Sequence, residues 1–202
     1  MSFRKQLGCS LFAIGLTIAG GAFAQSLGLP VADTASGVPQ DLLVGTAGFT
    51  YRSGDENLFA LRGTYAVTPV FRIFGDFGTA DIRPTIQVGG IYAFKTGLAV
   101  DLAARTALYT GFTHDYDVEG FDTMALASIP LQYIGSYVYG GLGLNIMKKV
   151  ERNDFDSRTE RGELDLSAAF GAIVYATEQL SFYLETAHVN DFSLGGGVRY
   201  QF

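Results

Sequence analysis

The chain has 202 residues, a formal net charge of −6, 48% hydrophobic and only 17% charged residues. Rich in Gly (26), Phe (16) and Tyr (11), it is too apolar to stay disordered, and its acidic balance argues against nucleic acid as a partner. One Cys and two His leave little for disulfide, thiol or Cys/His metal chemistry, so no metal and no cofactor is expected.

Arg4 and Lys5, the apolar stretch Leu7 to Ile18 and then Ala22-Phe23-Ala24 follow the charged, apolar, small-residue order of a secretory signal peptide, residues 1–24. That stretch is shorter than the roughly 20 residues a membrane helix needs. Cys9 precedes most of the apolar region instead of following it, which excludes a lipoprotein signal. It leaves with the leader, as do two positive charges. Residues 25–41 are rich in Ser, Ala, Gly and Pro without periodicity, a periplasmic arm with the option of entering a barrel mouth. After residue 24 no apolar run reaches the length of a membrane helix, so the hydrophobicity must be spread over alternating strands of a barrel domain, residues 42–202.

Ten segments of strand length follow in chain order. Leu42 to Tyr51 ends with Phe49 and Tyr51 on one face. Leu58 to Val67 sets Phe59, Leu61, Tyr65 and Val67 against Arg62 and Thr64. Val70 to Gly78 sets Phe71, Ile73 and Phe77 against Arg72 and Asp76. Thr85 to Phe94 shows Ile86, Val88, Tyr92 and Phe94, and Leu98 to Tyr109 sets Leu98, Val100, Leu102 and Leu108 against Asp101 and Arg105. Thr123 to Tyr133 is softer and carries Pro130, the mark of a bulge or strand end. Tyr137 to Met147 sets Val138, Leu142, Leu144 and Ile146 against Tyr139 and Asn145. Glu163 to Tyr175 sets Leu164, Leu166, Phe170 and Val174 against Asp165 and Ser167. Leu180 to Val189 sets Phe182 and Leu184 against Tyr183 and Glu185. The last segment puts Leu194, Val198, Tyr200 and Phe202 on one face and Ser193, Arg199 and Gln201 on the other.

The links after even-numbered segments are short: Thr68-Pro69, Lys95 to Gly97, Ile134 to Ser136 and Thr177 to Gln179. Two links after odd-numbered segments are long, Thr110 to Asp122 and Lys148 to Gly162. Short turns on one side and long loops on the other are the asymmetry of an outer-membrane barrel. The expectation is an all-β, antiparallel, up-and-down transmembrane barrel of ten strands, with eight as the alternative.

A soluble barrel of the lipocalin type would show the same alternation, so the polar face decides. It carries Arg62, Arg72, Arg105 and Arg199 with Asp76, Asp101, Asp165 and Glu185, and no lysine. Arginine with carboxylate suits hydrogen-bonded networks in confined space. The opposite face is nearly uncharged, with aromatics toward segment ends, as in membrane girdles.

On its leader, the stretch from Leu42 onward and the Val198-Arg199-Tyr200-Gln201-Phe202 ending, the chain resembles the small bacterial outer-membrane β-barrels of the opacity-protein and OmpA-like superfamily. The resemblance implies residence in the outer membrane of a Gram-negative cell envelope and contact with outer-membrane lipid and lipopolysaccharide. It also implies that Val198, Tyr200 and Phe202 form the signal met by the barrel-assembly machinery.

Four groups of residues carry functional expectations. The eight lumen charges are either a selectivity filter or a self-neutralising filling; narrow barrels are filled by side chains, and an unpaired buried charge is very costly, which favours the filling. His114-Asp115-Tyr116-Asp117-Val118-Glu119 with Asp122 offers oxygen ligands for Ca²⁺ but lacks EF-hand spacing, so a solvated loop is the expectation. His188 and Ser193 near the outer rim invite comparison with lipid A-modifying enzymes, yet alternation sends them to opposite faces. The mixed charges from Lys148 to Glu163 form a surface able to meet lipopolysaccharide phosphates or an unknown surface ligand. Omptin-like proteolysis is disfavoured because segments of about ten residues would not rise far above a bilayer.

The function expected is a non-enzymatic outer-membrane barrel with a structural, surface-interaction or envelope-maintenance role and a largely plugged, charge-balanced lumen. A narrow porin-like channel for small solutes is the alternative, and a lipid A-modifying enzyme a further one.

Overall fold

A computed structural model of the chain describes residues 31–202, except 53–57, 81–82, 113–115, 132–135, 153–157 and 190. The expected leader 1–24 and the first part of the arm lie outside the described residues. Ten antiparallel strands follow: β1 (Leu43–Arg52), β2 (Leu58–Thr68), β3 (Phe71–Ala80), β4 (Arg83–Phe94), β5 (Asp101–Phe112), β6 (Tyr116–Leu131), β7 (Ser136–Arg152), β8 (Arg158–Tyr175), β9 (Leu180–Val189) and β10 (Asp191–Gln201). Each pairs with its neighbour in sequence, and β1 pairs with β10, from Val44 opposite Gln201 to Arg52 opposite Ser193, so the sheet closes on itself without an edge. The backbone N–H of Phe202 donates to Leu43 O at 2.9 Å and locks the seam.

The barrel is turned inside out relative to a soluble one. Along β2 the buried residues are Leu58, Ala60, Arg62, Thr64 and Ala66, whereas Phe59, Leu61, Tyr65 and Val67 are exposed. Large apolar side chains stand exposed on every strand, up to Leu142 at 68% and Leu166 at 73%. Aromatics gather at the rim where β1 begins, with Tyr92 and Phe94 edge-to-face at 5.4 Å and Tyr200 and Phe202 at 4.9 Å, while Phe49, Tyr51 and Phe59 stand exposed toward the other. Charge on the outer face of β6 and β7 begins at Glu119, directly opposite Lys148. An apolar belt of this kind is stable only against hydrocarbon, which identifies the barrel as membrane-spanning.

Two features of the sequence reading change. The long loops Thr110 to Asp122 and Lys148 to Gly162 are largely strand: β5 runs to Phe112, β6 starts at Tyr116, β7 runs to Arg152 and β8 starts at Arg158. Links are short at both ends, and the asymmetry lies in strand length, with 16, 17 and 18 residues in β6, β7 and β8 against 10 to 12 elsewhere. Above the lipid both faces of a strand meet water, so apolar alternation stops although the ladder continues. The argument from short segments against an omptin-like height therefore fails for this sector. At about 3.4 Å per residue and a tilt of roughly 40°, the longest strand rises about 45 Å, against an apolar band about 25 Å tall. The other change is at β5, which begins at Asp101, leaving Leu98 to Val100 in the preceding turn.

Glycine on the inner face makes room for lumen rings. A Cβ on Gly48 would lie 1.8 Å from the Tyr183 hydroxyl, and one on Gly171 would lie 2.5 Å from that of Tyr139, so the rings rest on bare backbone.

Candidate functional site

Because strand side chains alternate, every second residue of each strand enters the lumen, where water is scarce and ions must find partners. Arg62 on β2 lies opposite Asp76 on β3, and that register delivers a two-pronged ion pair: Nε to Oδ1 and Nη2 to Oδ2, both 2.6 Å. Arg105 on β5 pairs with Asp122 on β6, whose other oxygen accepts from Ser167 at 3.2 Å. Gln87 bridges the two pairs, its amide oriented to donate to Asp76 Oδ2 at 3.2 Å and accept from Arg105 at 2.7 Å. Both guanidiniums lie over the Phe74 ring, at 4.8 and 4.9 Å from its centre. The ion pairs of this network lie within the wall, and Arg62 alone also reaches the arm.

A second network joins the wall to the arm, whose residues 31–35 are buried inside the barrel. Ala32 holds φ at 42°, outside the usual range for a non-glycine residue, and the consecutive N–H groups of Val31 and Ala32 both donate to the Glu185 carboxylate at 2.8 Å. Tyr139 O–H donates to the same carboxylate at 2.5 Å. Arg62 Nη1 donates to Val31 O, and Arg72 Nη2 to Thr34 O at 2.6 Å. Asp33 receives Arg72 at 3.1 Å and Arg199 at 3.3 Å, both on Oδ1. Ala35 N–H donates to Ser128 Oγ at 2.9 Å, and Ser36 O–H to Asp101 at 2.6 Å. Further along, Val38 N–H donates to Pro69 O at 3.1 Å, which ties the arm to the turn between β2 and β3.

Seven of the eight charges singled out from the sequence thus meet a partner in these two networks. Asp165 is half-buried, opposite Asn145 in the ladder, and makes no ion pair among the described residues. Two carboxylates and one phenol of these networks were missed. Asp33 sits in a segment without periodicity. Asp122, grouped with the acidic loop as a Ca²⁺ candidate, is a buried lumen residue of β6. Tyr139, placed on the polar face, was not linked to Glu185. Inward parity on an extended β6 would have found Asp122; nothing in the sequence points to Asp33.

The other candidates separate. His114 and Asp115 lie outside the described residues, while Asp117 and Glu119 belong to β6. His188 is paired with Phe192 on the outer face, whereas Ser193 faces inward and donates to Ala187 O at 3.3 Å, so the two do not form a nucleophile and base. Asn190 lies outside the described residues. Val198, Tyr200 and Phe202 all stand on the lipid face, with Phe202 71% exposed. Lys148 is exposed at the end of the belt, and Glu163 is half-buried.

The fold thus defines a closed, ten-stranded, antiparallel transmembrane β-barrel. No family model matches the chain, and no curated protein matches its sequence. Among solved structures, a de novo designed transmembrane β-barrel is similar at 15% identity and TM-score 0.43, covering 82% of this chain and 99% of that one. The KdgM porin gives 14% and 0.45, covering 79% and 99%. The Ail outer-membrane protein of Yersinia pestis gives 15% and 0.41, covering 81% and 100%. At these scores the likeness is one of general architecture, and the membrane assignment rests on this barrel's own surface.

Proposed function

We propose that the protein is an integral barrel of a bacterial outer membrane whose lumen is closed at rest by residues 31–36 of its own arm, serving a structural, surface-interaction or envelope-maintenance role. The observation that carries this reading is the double grip on the arm: Glu185 holds its backbone N–H groups while Arg72 and Arg199 hold Asp33. A lumen evolved for free passage of solute has no use for wall charges neutralised by an intramolecular segment. In this reading Val198, Tyr200 and Phe202 present the assembly signal, the lipid belt meets lipopolysaccharide and phospholipid, and the tall β6–β8 sector offers the surface for a partner. Planar-bilayer recordings of the refolded chain test it. A silent membrane is the expected result, and steady single-channel steps would overturn closure in favour of a narrow channel.

The channel reading has one observation of its own. The arm is held inside by side-chain hydrogen bonds, ion pairs and the packing of Val31, Ala32 and Ala35, and joins the barrel at the end where β1 begins, so it can withdraw without breaking the strand ladder. Conductance that appears only when the arm is released would make the protein a gated pore.

A further inference from the structure

The wall is uneven on the two sides of β8. Against β7 the ladder runs from Arg158 opposite Arg152 down to Val174 opposite Ser136. Against β9 it ends at Ser167 opposite Val189, and Asp191 of β10 already pairs back onto Val189. Among the described residues, no strand therefore pairs with 158–165 on that side. At about 3.4 Å per residue this open edge is about 27 Å long, and alternate residues direct their N–H and C=O groups into it. The usual devices that blunt an edge are missing: residues 158–165 include no proline and no lysine, and their register against β7 runs without a bulge. The lower end of the edge lies at the top of the apolar belt, where Leu164 is 65% exposed and Gly162 stands opposite Lys148. Unpaired backbone groups are costliest there, at the border of the lipid. On the inner face Glu163 and Asp165 are half-buried, and Asp165 makes no ion pair among the described residues.

Such an edge selects by main chain first, because an added extended strand returns a bond to each N–H and C=O. Side chains then choose among strands, since cross-strand neighbours on one face interact. A strand laid along the edge sets alternate side chains beside Glu163 and Asp165, and the others beside Leu164. We infer that residues 158–165 of β8 dock an extended segment of another protein at the cell surface, with basic residues meeting Glu163 and Asp165 and apolar residues meeting Leu164. A second copy in the same membrane is a poorer occupant, because its β8 runs in the same direction and brings the same two carboxylates. The inference rests on the surface-interaction part of the reading above, and not on whether the arm closes the lumen.

The test titrates the full chain, refolded into phosphatidylcholine nanodiscs, with a fluorescent peptide of alternating valine and lysine, about nine residues long to match the edge. Saturable binding by anisotropy is expected, together with slowed hydrogen exchange at alternate amides of residues 158–165. The same peptide N-methylated at every residue keeps its charge and apolarity and should bind at least about tenfold more weakly. Equal affinity of the two peptides, or equal binding to nanodiscs without protein, would overturn the inference, since charge or lipid would then account for it. Asp165→Lys should weaken the lysine peptide and strengthen one of alternating valine and glutamate; an unchanged preference would overturn the pairing with the carboxylates. Amides of 158–165 that are all as protected as those of β7 before any peptide is added would show the edge already covered, which also overturns it. Conductance is a separate readout. A chain that conducts yet binds the peptide refutes closure and leaves the docking edge standing, and a silent chain that binds no peptide refutes the edge alone.

Discussion

Asp33→Ala is the sharpest perturbation of the lumen. It removes the one carboxylate that Arg72 and Arg199 share, with side chains only 4% and 6% exposed. Keeping the arm seated would then leave two buried guanidiniums without their counter-charge, and removing one partner of a buried ion pair costs about 3–5 kcal/mol. The arm has little reserve to absorb this. Ordering residues 31–36 costs roughly 1–2 kcal/mol per residue in backbone entropy. The contacts that remain are two N–H bonds to Glu185, Arg62 to Val31 O, Arg72 to Thr34 O, Ser36 to Asp101, the neutral bond to Ser128 and the packing of Val31, Ala32 and Ala35 in the apolar cluster with Phe74 and Ile91. At about 1.5–3 kcal/mol for each bond to a charged group, gain and cost both come to roughly 10 kcal/mol. The balance tips, and the arm leaves while the strand ladder stays. The open-to-closed ratio should rise at least about a hundredfold, since each 1.4 kcal/mol is about a factor of ten. Planar-bilayer recordings should show steps for Asp33→Ala that the parent lacks, and limited proteolysis should cut the arm of the variant faster. A variant as silent and as protease-resistant as the parent would refute the argument that Asp33 holds the arm in place.

Other substitutions probe the remaining layers. Gly143→Ala forces a Cβ to within 1.9 Å of the Thr123 carbonyl oxygen and should destabilise the barrel by about 1–3 kcal/mol in urea titrations, whereas Gly63→Ala, with open space around it, should be close to neutral. Leu166→Arg, on the lipid face at a position 73% exposed, should cost about 2–4 kcal/mol in refolding into bilayers, while Lys148→Leu at the end of the belt should fold normally. Tyr139→Phe withdraws a donor from the Glu185 carboxylate and should lower stability by about 1.5–3 kcal/mol, measured as a shift in the urea midpoint. His188→Ala should leave the lipid A mass spectrum of overexpressing cells unchanged, because His188 and Ser193 face opposite sides of the sheet.

How much of this was legible in the sequence depends on which solvent each residue meets. Within the bilayer the two faces of a strand meet opposite media, and the alternation of Phe59, Leu61 and Tyr65 with Arg62 and Thr64 writes strand, face and register almost residue by residue. Beyond the bilayer both faces meet water, and the pattern dissolves; Tyr116 to Asp122 and Arg158 to Gly162 are strands held by cross-strand hydrogen bonds that any polar sequence can make. The same loss concealed Asp122, whose inward orientation follows only once β6 is known to start at Tyr116. The arm was illegible for a different reason. Val31 to Ser36 forms no ladder and owes its place to contacts with residues 31 to 166 positions away, such as Arg199 and Glu185.

The division of the lumen charges bears on what the barrel is for. Arg62 with Asp76 and Arg105 with Asp122 have their counter-charges within the wall, joined by Gln87 and the Phe74 ring, and these pairs would persist in an empty barrel. Glu185, Arg72, Arg199 and Asp101 are different: they hold ionic, hydroxyl and backbone contacts that reach into the arm. A wall that had only to fill itself could pair Glu185 with a neighbouring cation as Asp76 is paired, at no loss of stability. Instead it offers a carboxylate to two backbone N–H groups and two guanidiniums to one Asp, a pattern shaped to a segment that is not part of the sheet. Such complementarity has value only if the seated arm matters, either as a permanent plug or as one that is released. Conductance of the parent chain separates these: unbroken silence indicates a permanent plug, and silence interrupted by openings indicates a gate.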